Sequence, residues 1–168
     1  LKNELKTHLF IFLNKIKHMH KSGFVTIIGN PNVGKSTLIN NLLGEKISII
    51  TPKAQTTRHR LLGILSHKDY QIVFSDTPGV IKPKYKLQDA MMNFVRESLD
   101  DSDVIIYMVD SNEKELADEN IQKIFKKLNK ELLILVNKID LVSQELVISL
   151  VDFWTKKFPN CKVFPISA

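Results

Sequence analysis

From Phe24 onward the apolar positions fall into two alternating kinds of run. Phe24-Val25-Thr26-Ile27-Ile28, Val104 to Val109 and Leu132 to Val136 are short, nearly continuous apolar blocks rich in β-branched residues, the pattern of strands buried on both faces. Between them, Leu38-Ile39 with Leu42-Leu43, then Met91-Met92-Val95-Leu99, a segment of about 116–128, and Leu146-Leu150-Phe153-Trp154 recur at three- and four-residue spacing, as amphipathic helices do. Strands alternating with helices predict an α/β fold, with a mostly parallel sheet covered by helices on both faces. Leu61 to Leu65 and Gln71 to Phe74, joined by Ser66-His67-Lys68-Asp69, predict an antiparallel hairpin at one edge. Cys161 to Ile166 makes a sixth strand. Gly44-Glu45-Lys46 reads as a helix stop. The following stretch to His59 lacks a sustained period and reads as a mobile connection.

Residues 1–22 follow a different pattern. Leu1, Leu5, Leu9, Phe12 and Ile16 lie at helical spacing with lysines between them, so this basic extension is predicted to be either disordered or a short amphipathic helix. The helix would suit peripheral contact with the inner face of a cell membrane. Its apolar stretch, Leu9 to Leu13, is too short to span a bilayer. Met19 opens Met-His-Lys-Ser-Gly-Phe-Val and suits a natural start, with the preceding residues an upstream extension. Of the net charge of +6, five lysines (2, 6, 15, 17, 21) against Glu4 place +4 before Gly23 and leave +2 for residues 23–168. A basic face for nucleic acid is therefore not evident in the globular part. The single cysteine, Cys161, excludes an internal disulfide and suits a reducing cytoplasm. At 168 residues one domain is expected, and nothing in the pattern indicates an oligomer.

The chemistry concentrates at the ends of the predicted strands. Gly29-Asn30-Pro31-Asn32-Val33-Gly34-Lys35-Ser36-Thr37 follows the first strand and opens the first helix. Glycine, four residues, then Gly-Lys-Ser in that context is a phosphate cradle, lined by backbone N–H groups and the positive end of the helix dipole. Lys35 supplies a compact charge to β- and γ-phosphates and Ser36 a hydroxyl ligand for Mg²⁺. The third strand ends in Asp76-Thr77-Pro78-Gly79. Its carboxylate is placed to hold Mg²⁺ through water, and Gly79 lets its N–H approach a γ-phosphate. The fifth strand ends in Asn137-Lys138-Ile139-Asp140, an arrangement suited to guanine. The Asp140 carboxylate can accept from the base N1–H and exocyclic amine, whereas adenine would leave the charge unpaired. Lys138 can lay its stem across the base and tie back toward the phosphate loop. A backbone N–H at Ser167-Ala168 would meet the guanine O6.

In this order the motifs resemble those of the translation-factor-type P-loop GTPases. With Lys53-Ala54-Gln55-Thr56-Thr57-Arg58-His59-Arg60 added, the resemblance narrows to the Era-like family of bacterial ribosome-assembly GTPases and covers about His20 to Ala168. It implies a small-GTPase-type P-loop fold, GTP/GDP and Mg²⁺ as ligands, and GTP hydrolysis. Thr57 is implied as the switch threonine that reaches Mg²⁺, ahead of Thr56, with 46–60 and 76–88 as the two switches. Val80 stands where the best-known small GTPases carry a water-positioning glutamine. Asn32 resembles the family asparagine that helps hold K⁺ beside the phosphates, a charge acting as an arginine finger does. Members carry a carboxyl-terminal KH domain that binds small-subunit ribosomal RNA. That segment is absent here, and the final helix expected after Ala168 is missing, so the chain reads as residues 23–168 of a truncated GTPase domain. A strand left without its helix predicts an exposed apolar face on this last strand, unless the segment before Gly23 or another chain covers it. Two alternatives remain: a related GTPase module for transfer-RNA modification, and a non-catalytic guanine-nucleotide-binding scaffold.

Overall fold

The computed structural model describes residues 20–44, 61–80, 86–113, 125 and 129–168. In chain order these form β1 (Lys21–Gly29), α1 (Lys35–Leu43), β2 (Leu61–Ser66), β3 (Tyr70–Asp76), α2 (Lys86–Asp101), β4 (Val104–Asp110), β5 (Glu131–Asn137), a 3₁₀ turn (Ile139–Leu141), α3 (Gln144–Lys157) and β6 (Lys162–Pro165). The strands make one six-stranded sheet in the order β2-β3-β1-β4-β5-β6. Only β2 runs antiparallel, against β3, so the predicted edge hairpin is present and every other pairing is parallel.

Side-chain alternation along the strands sorts the core into two layers. Val25, Ile27, Ile72, Phe74, Ile106, Met108, Leu133 and Leu135 pack on one face, with Leu38, Ile39 and Leu42 of α1. Ile28, Ile105, Tyr107, Val109, Ile134 and Val136 pack on the other, with Val95 and Leu99 of α2, Phe125, and Leu150 and Trp154 of α3. Tyr107 meets Phe125 edge-on at 5.3 Å and Trp154 at 6.2 Å, the geometry that aromatic quadrupoles favour. The helices carry their local signals. Gly44, left-handed at φ 76°, closes α1 by donating to Asn40 O, and the Ser143 hydroxyl caps α3 by accepting from Leu146 N.

Two expectations change. β1 begins at Lys21, inside the segment assigned to the leader, because Lys21, Ser22 and Gly23 pair in parallel with Tyr70, Gln71 and Ile72. Nor is the apolar face around β6 exposed: Leu135 and Ile166 are buried, and Val163, Phe164 and Pro165 are half-buried. Exposed apolar side chains lie on the hairpin side, at Leu61, Leu62 and Ile64 of β2 and Phe24 of β1, and also at Leu141 of the 3₁₀ turn and Ile148 and Phe153 of α3. Register sets Ile64, Val73 and Phe24 in one row. The amphipathic segment before His20, and with it the membrane expectation, lies outside the described residues, as does most of the helix predicted over 116–128. Among the described residues, no helix is long and apolar enough to cross a membrane.

Candidate nucleotide site

Parallel strands deliver their carboxyl ends to one rim of the sheet, where loops after β1, β3, β4 and β5 meet. The loop Asn30–Gly34 hangs from β1 and turns into α1 through Gly34, whose φ is 103°. A side chain there is doubly forbidden: the conformation is left-handed, and a Cβ would lie 2.4 Å from Asn137 Nδ2. Asn32 is also left-handed, at φ 64°, and is exposed at the rim. Val33 is buried, while Pro31, Ser36 and Thr37 are half-buried.

Lys35 lies beneath this loop, 6% exposed. Its ammonium donates to Gly29 O at 3.1 Å and Asn30 O at 2.8 Å. An ammonium has three donors, which leaves one to direct at a phosphate oxygen. Burial lowers the Lys35 pKa to about 8, against the opposing pull of Asp76 and Glu113. The Ser36 hydroxyl donates to Asp76 Oδ2 at 2.7 Å, bringing the two predicted Mg²⁺ ligands together. The first turn of α1 carries no acidic residue, so its dipole remains available to an anion.

The loop after β3 is pinned against the phosphate loop. Thr77 Oγ1 donates to Ile27 O at 2.8 Å and Val80 N to Gly29 O at 2.9 Å. At Gly79 a Cβ would meet the nitrogen and Cγ of Pro31 at 2.7 Å, so glycine is what permits the close approach. Val80 itself is 3% exposed and packs among the second core layer with Ile28 and Met92. It holds the loop down rather than facing the site.

The Asn137-to-Asp140 segment sits beside the same loop. Asn137 is 2% exposed. Its Nδ2 donates to Val33 O at 2.8 Å, and its Oδ1 accepts from Ala168 N at 3.0 Å. Ser167 Oγ donates to Asp140 Oδ1 at 2.6 Å, so the residues predicted to read the base form one group. Two details differ from expectation. The residue that ties back to the phosphate loop is Asn137, while Lys138, left-handed at φ 62°, pairs with Asp110 Oδ2 at 2.5 Å. The Ala168 N–H, expected at the guanine O6, is turned onto the Asn137 side chain. Thr57 and residues 46–60, together with 81–85 of the second switch, lie outside the described residues.

A family model described as a 50S ribosome-binding GTPase matches residues 24–138. GTPase Era of Staphylococcus haemolyticus is 44% identical over 150 residues, which cover 89% of this chain and 50% of that protein. The chain belongs to the Era-like family of P-loop GTPases. A crystal structure of Era in complex with MgGDPNP and nucleotides 1506–1542 of 16S ribosomal RNA superposes with a TM-score of 0.83 at 45% identity, covering 89% of this chain and 52% of that one. A tyrosine-to-alanine variant of Aquifex aeolicus Era bound to GDP·AlF4⁻ gives a TM-score of 0.81, also at 45% identity, over 88% of this chain and 51% of that one. The chain thus spans about half the length of the relatives it matches.

Within this Era-like site, the turn after β4 contributes two residues that no motif spacing marks, Asp110 and Glu113. Glu113 N donates to Asp110 O at 2.9 Å, Asn112 N donates to Asp110 Oδ1 at 3.0 Å, and Glu113 Oε1 accepts from Asn30 Nδ2 at 2.9 Å. Burial pushes the Asp110 carboxyl up, but Lys138 and Asn112 outweigh it and hold the group below the usual carboxylate range. Glu113 lies above that range because burial outweighs the hydrogen bond from Asn30. The only signal is two acids directly after a buried strand, which read equally well as a solvated turn.

Proposed function

We propose that this chain is the nucleotide switch of an Era-type protein: it binds guanine nucleotide with Mg²⁺ and hydrolyses GTP to GDP and phosphate. The observation that carries this reading is the 2.8 Å hydrogen bond from Asn137 to Val33 O. It makes the base-reading segment and the phosphate cradle one site, with a spacing fixed by a buried contact.

The phosphates would lie over the backbone of Asn30 to Thr37 at the amino end of α1, with the third Lys35 donor turned toward them. Asp140 would exchange the Ser167 hydroxyl for the two donors of guanine, and Ala168 N could rotate from Asn137 to the base O6. The Ser36 hydroxyl and Asp76 carboxylate fit Mg²⁺: they are hard oxygen donors already 2.7 Å apart, and such ions take one or two protein oxygens, phosphate and water rather than an all-protein cage. Bound there, Mg²⁺ would neutralise charge developing on the transferred phosphoryl group. Thr57 would complete this set in the triphosphate state.

Gly79 N–H would face the γ-phosphate, while the buried Val80 leaves the attacking water to backbone, to a side chain from another segment or to solvent around a cation. Asn32, exposed at the rim in a left-handed turn, suits a role in holding K⁺. In the longer protein we propose a role in ribosome assembly through ribosomal RNA, since an Era relative was crystallised with 16S rRNA nucleotides. The cytoplasm is the proposed compartment.

Single-turnover hydrolysis of GTP with Mg²⁺, run in K⁺ and in Na⁺, tests the reading. Phosphate release that is faster in K⁺ is expected. Tight binding without phosphate release would leave a scaffold, and equal rates in both salts would remove the cation role of Asn32.

A further inference from the structure

The turn Asp110–Glu113 touches both ends of the nucleotide site. At one end Asp110 pairs with Lys138, and Ser111 donates from its hydroxyl to Lys138 O at 3.2 Å and from its backbone to Asn137 O at 2.9 Å. At the other, Glu113 Oε1 accepts from Asn30 Nδ2 at 2.9 Å, while Oε2 faces Asp110 N at 3.4 Å. The carboxylate is therefore held in its own turn and extended to Asn30, the residue that follows Gly29 in the phosphate loop. The Asn30 carbonyl, in turn, holds the Lys35 ammonium at 2.8 Å. A chain of contacts runs from Lys138 through Asp110 and Glu113 to Asn30 and Lys35, crossing from β5 to β1 over the end of β4.

We propose that Glu113 is a positioning residue of the nucleotide site, tying Asn30 to the turn that carries Lys138 and so fixing the phosphate loop relative to the base-reading segment. The inference rests on the nucleotide reading above and deepens it. Asn30 has a side chain that could rotate into solvent, whereas Val33 of the same loop is anchored in the core. A charge-assisted hydrogen bond to a half-buried carboxylate is the stronger kind, and it acts on the residue whose carbonyl orients Lys35. The carboxylate acts by geometry rather than by touching phosphate, where its charge would be repulsive.

GDP and GMP separate this role from a structural one. Both carry the base, ribose and α-phosphate, and only GDP adds the β-phosphate that the loop cradles. With Mg²⁺ present, the full chain is titrated with GDP by fluorescence and with GMP by protein-observed NMR shifts. Glu113→Ala should weaken GDP about tenfold, the loss of one hydrogen bond to a charged group, while GMP changes less than about twofold. Glu113→Gln, whose amide oxygen can still accept from Asn30, should restore most of the GDP affinity. Asn30→Ala should match Glu113→Ala, with the double variant no worse than either single one, as for groups acting through a shared contact.

An unchanged GDP:GMP ratio in Glu113→Ala, additive losses in the double variant, or a Gln variant as weak as the Ala one would overturn the proposal. So would parallel loss of GDP and GMP with a lowered melting temperature of the ligand-free chain, which would mark the residue as merely structural. Failure of the unaltered chain to bind GDP at all would instead remove the nucleotide reading, and this inference with it.

Discussion

Replacing Asn137 with alanine tests the contact on which the site's geometry depends. The substitution deletes one donor and one acceptor from a residue 2% exposed. Val33 is 1% exposed, so its carbonyl would lose its 2.8 Å partner where water has little access, at a cost of roughly 1–3 kcal/mol. Ala168 is exposed, so its N–H can turn to solvent and adds only about 0.5–1 kcal/mol. Together the ligand-free chain should lose about 3 kcal/mol, which for a domain of this size lowers the melting temperature by roughly 6–12 °C. Urea and thermal unfolding can be followed through the fluorescence of Trp154, the single tryptophan and fully buried. Asn137→Asp keeps the acceptor for Ala168 but turns a carboxylate toward Val33 O, so at neutral pH it should be less stable than Asn137→Ala. Such a carboxyl has its folded-state pKa raised, so the penalty is present above its unfolded value of about 3.9 and fades on acidification toward it. A melting temperature for Asn137→Ala within about 1 °C of the unaltered chain would refute the reasoning, as would an aspartate variant indifferent to pH.

Three further outcomes follow from the same geometry. Gly34→Ala should cost more than about 3 kcal/mol, combining left-handed strain with a Cβ 2.4 Å from Asn137 Nδ2, and should abolish nucleotide binding; equal melting curves would contradict it. Asp140→Asn should shift base preference from guanine toward xanthine nucleotides in competition binding, and an unchanged preference would count against the guanine assignment. Burial lowers Lys35 to about 8, below its unfolded value of about 10.4, so the unfolded chain binds the extra proton between those limits. The ligand-free protein should therefore gain stability from this group as pH rises from about 8 to 10.5, and lose that pH dependence in Lys35→Met; a flat difference between the two across this window would refute it.

Much of the site was legible because its pieces are local. A glycine-flanked loop between strand and helix, an acid at a strand end, and Asn-Lys-Ile-Asp after a buried strand each require short spacings that sequence displays directly. The strands were legible for a similar reason: the blocks at 104–109 and 132–136 are apolar because side chains on both of their faces are buried. What the spacing did not display is partnership across the sheet. Asn137 and Lys138 are adjacent, and only the register of β4 with β5, which sets Asp110 opposite Asn137, decides that Lys138 pairs with Asp110 while Asn137 reaches Val33. Glu113 stayed hidden because its partner Asn30 is 83 residues away, brought close by the parallel pairing of β1 with β4. The start of β1 was misplaced because Lys21 and Ser22 look like leader by composition, and their place in the sheet comes from β3.

The central position of β1 also sets the timing of biosynthesis. Of the sheet's described strands it is translated first, yet it lies between β3 and β4, and Val104 follows Gly29 by about 75 residues. At roughly 5–20 residues per second, a nascent chain would carry Val25, Ile27 and Ile28 for several seconds before both neighbouring strands exist. The Val33 carbonyl waits longer still, since Asn137 is synthesised 104 residues later. A nucleotide therefore has only the phosphate part of its site to bind while the first half emerges, and any help that depends on the base-reading segment must come after β5 has left the exit tunnel. Until then, keeping β1 from wrong partners would fall to cellular chaperones rather than to a fully bound ligand.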